Sequence, residues 1–161
     1  MNFNTLYISK FITYNLSTSV IANATKSQKC IQSMVLNKSK VKVLFNPYLN
    51  KIKKIRRTKK NYSFLNIGRF YKQKNQLCLI EAFNSFNKIK KNYILKIIGD
   101  GPNEKKLIDL AKKYKLQKKI KIIKWKKNLD TMYKNTDFFV LPSLYEGMPN
   151  VLIDAINYEV P

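Results

Sequence analysis

From Tyr62 onward, apolar runs of strand length alternate with stretches whose apolar residues recur at helical spacing. Tyr62 to Ile67 is one apolar run, ending at Gly68, and Tyr93 to Ile98 is another, closed by Gly99-Asp100-Gly101-Pro102. Ile120 to Trp125 and Phe138 to Leu141 are two more. Runs this short and rich in Ile, Phe and Tyr, three of them followed by glycine or proline, predict buried strands. Between them, Gln76 to Ile89 carries Leu77, Ile80, Phe83 and Phe86 or Asn87 on one helical face. Glu104 to Tyr114 does the same with Leu107, Leu110 and Ala111. Leu129 to Tyr133 predicts a short helix. Val151, Leu152, Ala155 and Ile156 predict another, starting at Asn150 or Val151. Parallel strands need crossover helices, so this alternation predicts an α/β fold with a doubly wound, Rossmann-like parallel sheet.

The first sixty residues are patterned differently. Tyr7, Ile8, Phe11 and Ile12 predict a short amphipathic helix, Ser19 to Ala22 a strand, and Thr25 to Met34 a helix. Val41 to Phe45 alternates like a strand and stops at the Asn46-Pro47 turn. Lys51 to Lys60 is a dense basic run with little apolar periodicity, which reads as an exposed linker. The expected organisation is therefore a small unit over 1–46, a basic linker or hinge over 47–61, and an α/β domain over 62–161.

Composition changes this picture little. In 161 residues there is room for one domain with a real core or for part of a larger protein. No stretch approaches the ~18 apolar residues of a membrane span, and Met1 to Lys10 lacks the order of a signal peptide. There is no His, and Cys30 and Cys78 stand apart. A zinc site or a Cys–His nucleophile is therefore not expected, and no metal ligand is assigned. The formal charge of +23 suggests polyanion binding, but 29 of the basic residues are Lys and three are Arg. Base readout favours the arginine fork, so no specific nucleic-acid partner is expected. A solvated lysine surface with peripheral contact to an anionic membrane is the expectation instead.

Two stretches carry chemistry. Phe138 to Leu141, a loop broken by Pro142, Gly147 and Pro149, and a helix from Asn150 place backbone N–H groups and a positive dipole end at one point, suited to phosphate or sugar oxygens. Glu146 lies in that loop and Asp154 just over one turn into the helix, so both carboxylates are expected to face one crevice. The other stretch is Gly68-Arg69-Phe70-Tyr71-Lys72-Gln73-Lys74-Asn75. Gly68 would allow a sharp exit from its strand, and Arg69 and Lys74 would place fixed positive charge at the sheet edge, where open α/β sheets bind ligands. Two such cations suit a diphosphate and would stabilise it as a leaving group. Trp125, Phe70, Tyr71 and Tyr145 have the rings to stack on a base, although packing is the commoner role for each.

Glu146-Gly-Met-Pro-Asn-Val-Leu-Ile-Asp-Ala155 resembles the nucleotide-sugar loop of the group 1 (family 4) glycosyltransferases, whose pattern is Glu, seven residues, Glu. The Gly68-Arg69 pair with Lys74 resembles that family's other motif. Gly99-Asp-Gly-Pro102 and Thr136 to Ser143 also match family phrases, as does Ile21-Ala-Asn23. The resemblance implies a GT-B fold, with 62–161 as an incomplete C-terminal donor domain and 1–46 as the end of the N-terminal, acceptor-side domain. It implies a retaining, metal-independent transferase with no cofactor. That enzyme would move a sugar from a nucleotide-diphosphate donor, UDP- or GDP-linked, to a glycan or lipid-linked acceptor in surface polysaccharide biosynthesis. Its place would be cytoplasmic or peripheral at the inner membrane face. By the same resemblance Arg69 and Lys74 would contact the diphosphate at Gly68, and Glu146 would face the sugar. Gly147, Met148, Pro149, Asn150 and Val151 would hold hydroxyls or phosphate, and Asp154 the ribose.

Departures from the family pattern temper the expectation. Asp154 stands for the second Glu, one methylene shorter, and Lys124 stands for a usual Gly. The chain also ends where the family continues. A catalytically inactive α/β fragment, or a basic polyanion-binding module, are the alternatives.

Overall fold

A computed structural model describes residues 3–47 and 62–161. The basic run and nearly all of the expected linker lie outside the described residues. The chain divides into two compact units, Met1–Pro47 and Tyr48–Pro161.

The first unit contains α1 (Phe3–Leu16), β1 (Val20–Ala22), α2 (Thr25–Gln32), a 3-10 turn at Lys38–Lys40, and β2 (Val41–Val43). β1 and β2 pair in parallel, Val20 opposite Val41, around a small core of Val20, Val35 and Val41 that Tyr14 and Ile31 flank. Asn15 ties α1 to the rest: its Nδ2 donates to the Met34 carbonyl, and its Oδ1 accepts from the Leu36 N–H. Lys40 Nζ donates to the Asn15 and Ser17 carbonyls, satisfying acceptors left at the helix end. The helix itself forms where the apolar spacing predicts it, but not as an amphipathic one. Tyr7, Ile8, Phe11 and Ile12 remain 42–57% exposed, as does Leu6 at 41%. Apolar side chains surround α1 rather than forming one stripe, so the pattern identified a helix without identifying a buried face.

The second unit is an open four-stranded sheet, all parallel, in the order β5-β4-β3-β6. In chain order its elements are β3 (Tyr62–Ile67), α3 (Gln76–Ile89), β4 (Tyr93–Ile98), α4 (Glu104–Lys113), β5 (Ile120–Ile123), α5 (Asp130–Lys134), β6 (Phe138–Phe139) and α6 (Asn150–Asn157). Period-two alternation along β3 and β4 divides the core between two faces. Leu95 and Ile97 point to α3 and α4, where they meet Ile80, Phe83, Leu107 and Ala111. Leu65, Ile67 and Ile98 point the other way, to Tyr133 of α5 and Ala155 of α6. Leu65, Ile67, Leu95, Ile97 and Ile98 are fully buried, each worth about 1.5–3 kcal/mol relative to exposure. This is the doubly wound, Rossmann-like α/β sheet expected from the sequence.

The short β6 is held by a polar clasp rather than by length. Asp137 Oδ2 accepts from both the N–H and the hydroxyl of Ser63, at 2.7 and 3.0 Å. Asp137 N–H donates back to the Ser63 carbonyl. The strand ends at Phe139 rather than at Leu141, and there the Asn66 side chain, 1% exposed, donates to the Val140 carbonyl at 2.8 Å. β5 likewise stops at Ile123, short of Trp125. After β3 the chain moves outward through β4 and β5, then returns to the opposite side of β3 at β6. The topological switch therefore lies between β3 and β6, and a crevice opens beyond their carboxyl ends.

Candidate functional site

The segment leaving β3 is fixed first by its backbone. Gly68 N–H donates to the Ile98 carbonyl and Phe70 N–H to the Asp100 carbonyl, so the parallel ladder continues past the strand. Phe70 is fully buried, which gives it a packing role. A 3-10 turn at Lys72–Lys74 follows, and Asn75 takes a left-handed conformation, φ 54°, before α3 begins. Gln76, 2% exposed, donates from Nε2 to the Gly68 and Arg69 carbonyls at 3.3 and 3.2 Å. These bonds fix the backbone that carries Arg69.

The sharp-exit role expected of Gly68 belongs to another glycine. A Cβ on Gly68 would find its nearest neighbour, Lys74 Cδ, at an ordinary 3.5 Å. One on Gly99 would lie 2.1 Å from the Gly68 carbonyl oxygen, and one on Gly101 2.9 Å from Phe70 backbone atoms. The close approach comes from the β4–α4 turn, and the glycines there are what it requires.

The loop after β6 is sewn onto the β3–α3 connection by amides. Asn75 Nδ2 donates to the Pro142 carbonyl at 3.2 Å, Gln73 Nε2 to the Tyr145 carbonyl at 2.9 Å, and Leu144 N–H to the Gln73 carbonyl at 2.9 Å. The result places Glu146 Oε1 2.5 Å from Lys74 Nζ, with the two side chains 19% and 15% exposed. Arg69, its guanidinium 5.5 Å from the Tyr71 ring centre, lines the adjoining concavity of about 250 Å³ with Tyr71, Lys72, Gln73, Lys74 and Tyr145. Burial acts to raise the Glu146 pKa. The Lys74 hydrogen bond, Ser143, and the charges of Lys74 and Arg69 overcome it and hold the carboxyl below the usual range. Glu146 is thus an anion at neutral pH, oriented by a cation, beside a pocket whose other charges are positive.

Arg69, Lys74 and Glu146 are brought together; Asp154 keeps different company. It sits half-buried on α6, and its carboxyl is pushed up by burial and by the neighbouring charge of Asp130. Tyr158 shares this cluster. Its phenol is pushed up to about 12 by a hydrogen bond to Asp130, by burial, and by the charges of Asp130 and Asp154. The Tyr158 ring stacks on that of Tyr133, 5.2 Å between centres. Tyr133 hydroxyl donates to the Val151 carbonyl at 3.1 Å, bracing the first turn of α6. The helix begins at Asn150 after Pro149, with no side-chain cap, and the Leu152 and Ile153 amides return to the Pro149 carbonyl. Gly147 and Met148 lie in the loop just before it.

Gln73, Asn75 and Gln76 were not among the residues expected to matter. Each acts through an uncharged amide on a backbone carbonyl, and the only sequence signal is three amide side chains clustered just after Arg69. Among the described residues, no group of three or more His, Cys, Asp or Glu is placed to hold a metal. No helix among them is long and apolar enough to cross a membrane.

A doubly wound parallel α/β domain with an oriented carboxylate and two cations at its switch point is the class that the fold and this cleft define. The family model described as Glycosyl transferases group 1 matches residues 49–161, and the chain belongs to that family. It is 31% identical over 160 residues to an uncharacterized glycosyltransferase of Methanocaldococcus jannaschii, covering 92% of this chain and 39% of that protein. It is 31% identical over 150 residues to the UDP-Gal:alpha-D-GlcNAc-diphosphoundecaprenol alpha-1,3-galactosyltransferase of Escherichia coli, covering 82% and 38%. It is 30% identical over 155 residues to the capsular polysaccharide biosynthesis glycosyltransferase CapH of Staphylococcus aureus, covering 94% and 43%. The chain thus spans about two-fifths of the length of these curated relatives. Among solved structures, Anabaena Alr3699/HepE in complex with UDP and glucose superposes with a TM-score of 0.83 at 16% identity, covering 100% of this chain and 48% of that one. The pneumococcal O-GlcNAc transferase GtfA, in complex with UDP and GlcNAc, does so at 0.83 and 18%, covering 98% and 32%. At these identities the structural matches establish the shared fold.

Proposed function

We propose that the second unit binds the nucleotide-diphosphate sugar donor of a glycosyltransferase acting in surface polysaccharide biosynthesis. The observation that carries this reading is the Lys74–Glu146 pair, with Arg69 beside it, at the switch point between β3 and β6. Arg69 and Lys74 neutralise the diphosphate and, as the sugar–phosphate bond breaks, stabilise the charge that develops on the leaving oxygen. Glu146, kept ionised by Lys74, faces the sugar and orients it through a hydroxyl. The loop from Gly147 to Val151 supplies backbone contacts to the sugar or phosphate, and Asp154 accepts from the ribose. Transfer with retention, without a metal ion, to a glycan or lipid-linked acceptor rests on the family resemblance. So does a UDP- or GDP-linked donor. The lysine-rich composition suits work at the anionic cytoplasmic face of a membrane. The galactosyl and capsular relatives support the polysaccharide setting.

Donor binding asks only for residues of the second unit, so the chain itself is the right test object. UDP-, GDP- and ADP-sugars, each beside its free nucleotide, are titrated against wild type, Lys74→Met and Glu146→Gln. Lys74→Met is expected to weaken sugar-bearing and free nucleotides alike. Glu146→Gln is expected to weaken only the sugar-bearing ones. Equal affinity of wild type and both variants for every nucleotide would remove the reading.

A further inference from the structure

We infer that the outer edge of β5 is a docking groove for an extended acidic peptide, which adds to the sheet as a further strand. β5 ends the strand order, and among the described residues no strand pairs with its outer side. The register shows what that side offers. The Lys119 and Ile123 carbonyls accept from the N–H groups of Leu95 and Gly99, in and just after β4. Alternate residues of a parallel ladder face the same neighbour. Lys119, Lys121 and Ile123 therefore face β4, and the backbone groups of Ile120 and Ile122 face outward. Ile120 N–H donates to the Leu116 carbonyl. That leaves, among the described residues, the Ile120 carbonyl and both backbone groups of Ile122 for a partner.

A groove of about 380 Å³ runs along this edge, walled by Ile108 and Ala111 of α4 and by Ile120, Ile122 and Ile123 of β5. A free strand edge beside a helix is how peptide-binding domains add a strand. The main chain supplies hydrogen bonds, and alternate side chains enter the apolar groove. Ile120 and Ile122 both belong to the face that packs under α4, so every second residue of the incoming strand meets an apolar wall.

Charge selects the occupant. From Lys112 to Lys127 there are nine lysines in sixteen residues and no Asp or Glu, well above the chain's 32 Lys and Arg in 161. All are exposed except Lys119, whose Nζ donates to the Lys91 carbonyl. Lysines at a sheet edge repel a second copy of the same chain, and they attract a strand that carries Asp or Glu. An anionic bilayer or a nucleic acid also satisfies the charge. Neither brings the alternating donors and acceptors that a strand edge matches. The occupant is therefore a segment in which Asp or Glu alternates with Val or Ile. The groove lies at the opposite end of the strand order from β6, so this inference stands or falls apart from the donor reading.

The probe is a fluorescein-labelled peptide of alternating Val and Glu, about six residues long. Anisotropy gives its affinity for the full chain, and NMR follows hydrogen exchange at the Ile122 amide. Saturable binding that slows this exchange is expected. Ile122→Pro, tolerated at an edge because it removes only an outward N–H, should weaken binding by about 5-fold. N-methylating alternate residues of the peptide should weaken it at least as much. Lys121→Glu with Lys124→Glu should weaken it more at low salt than at high salt. Circular dichroism melting confirms that each variant is folded. If the N-methylated peptide binds as the parent does and Ile122 exchange is unchanged, the lysines hold any polyanion and the groove is wrong. Absence of saturable peptide binding overturns it too. So does slowing of Ile122 exchange by phosphatidylglycerol vesicles or poly(U) but not by the peptide.

Discussion

Replacing Glu146 by Gln probes the physical basis of the site through stability alone. Lys74 Nζ lies 2.5 Å from Glu146 Oε1, and the side chains are 15% and 19% exposed. Removing one member of a fully buried pair costs about 3–5 kcal/mol, and a hydrogen bond to a charged group contributes about 1.5–3 kcal/mol net. Some water still reaches both groups, and Gln can accept from Lys74, so the lower range applies. We expect a loss of about 2 kcal/mol at pH 7, roughly a 30-fold change in the folding equilibrium. The pH dependence follows from the lowered pKa of Glu146. A carboxyl with a depressed folded pKa contributes stability that is complete above its unfolded value of 4.5. That stability is lost as pH falls through the folded value. Urea unfolding followed by circular dichroism, from pH 7 to pH 3, should show wild type and variant about 2 kcal/mol apart at neutrality and converging in acid. A gap under about 0.5 kcal/mol, or one that persists on acidification, would refute the reasoning.

Asp154 carries the opposite sign. Its folded pKa is raised above 3.8, so it costs stability as pH rises through the folded value. Asp154→Asn should raise the urea midpoint at pH 7, with the gain vanishing below pH 3.8; a lower midpoint at pH 7 would contradict this. Asp137→Ala strands the buried Ser63 N–H and should cost about 1–3 kcal/mol in the same assay. Gly99→Ala should cost more than about 4 kcal/mol, because its Cβ would fall 2.1 Å from a backbone oxygen, while Gly68→Ala should melt close to wild type. Equal melting of the two glycine variants would count against the described turn.

The β–α alternation was legible because the runs at β3, β4 and β6 are each followed by a glycine or proline; the run at β5 has none, and its end was misplaced by two residues. β3, α3 and β4 occupy the predicted residues for that reason. β6 came out shorter because its end is set by the Asn66 side chain on a neighbouring strand, a contact that no local pattern encodes. The four apolar residues of α1 gave its helix but not its surroundings, since periodicity specifies a face only when something covers it. Arg69, Lys74 and Glu146 were readable as charged residues at strand ends. The direct Lys74–Glu146 contact was not, because it depends on Gln73 and Asn75, whose amides look like any surface polar residue. The company of Asp154 was hidden for a similar reason: Asp130 and Tyr158 reach it through the packing of α5 and α6.

The central claim is a donor-diphosphate site at the β3–β6 switch point, and calorimetric titration of the chain with UDP and GDP at physiological salt tests it most directly. Wild type is compared with Arg69→Ala and with Lys112→Ala, a charge removed from α4 far along the sequence from the site. The account predicts saturable binding that Arg69→Ala abolishes or strongly weakens and Lys112→Ala leaves intact. Binding that is absent, or that falls equally in both variants and tracks salt as for any polyanion, would contradict it.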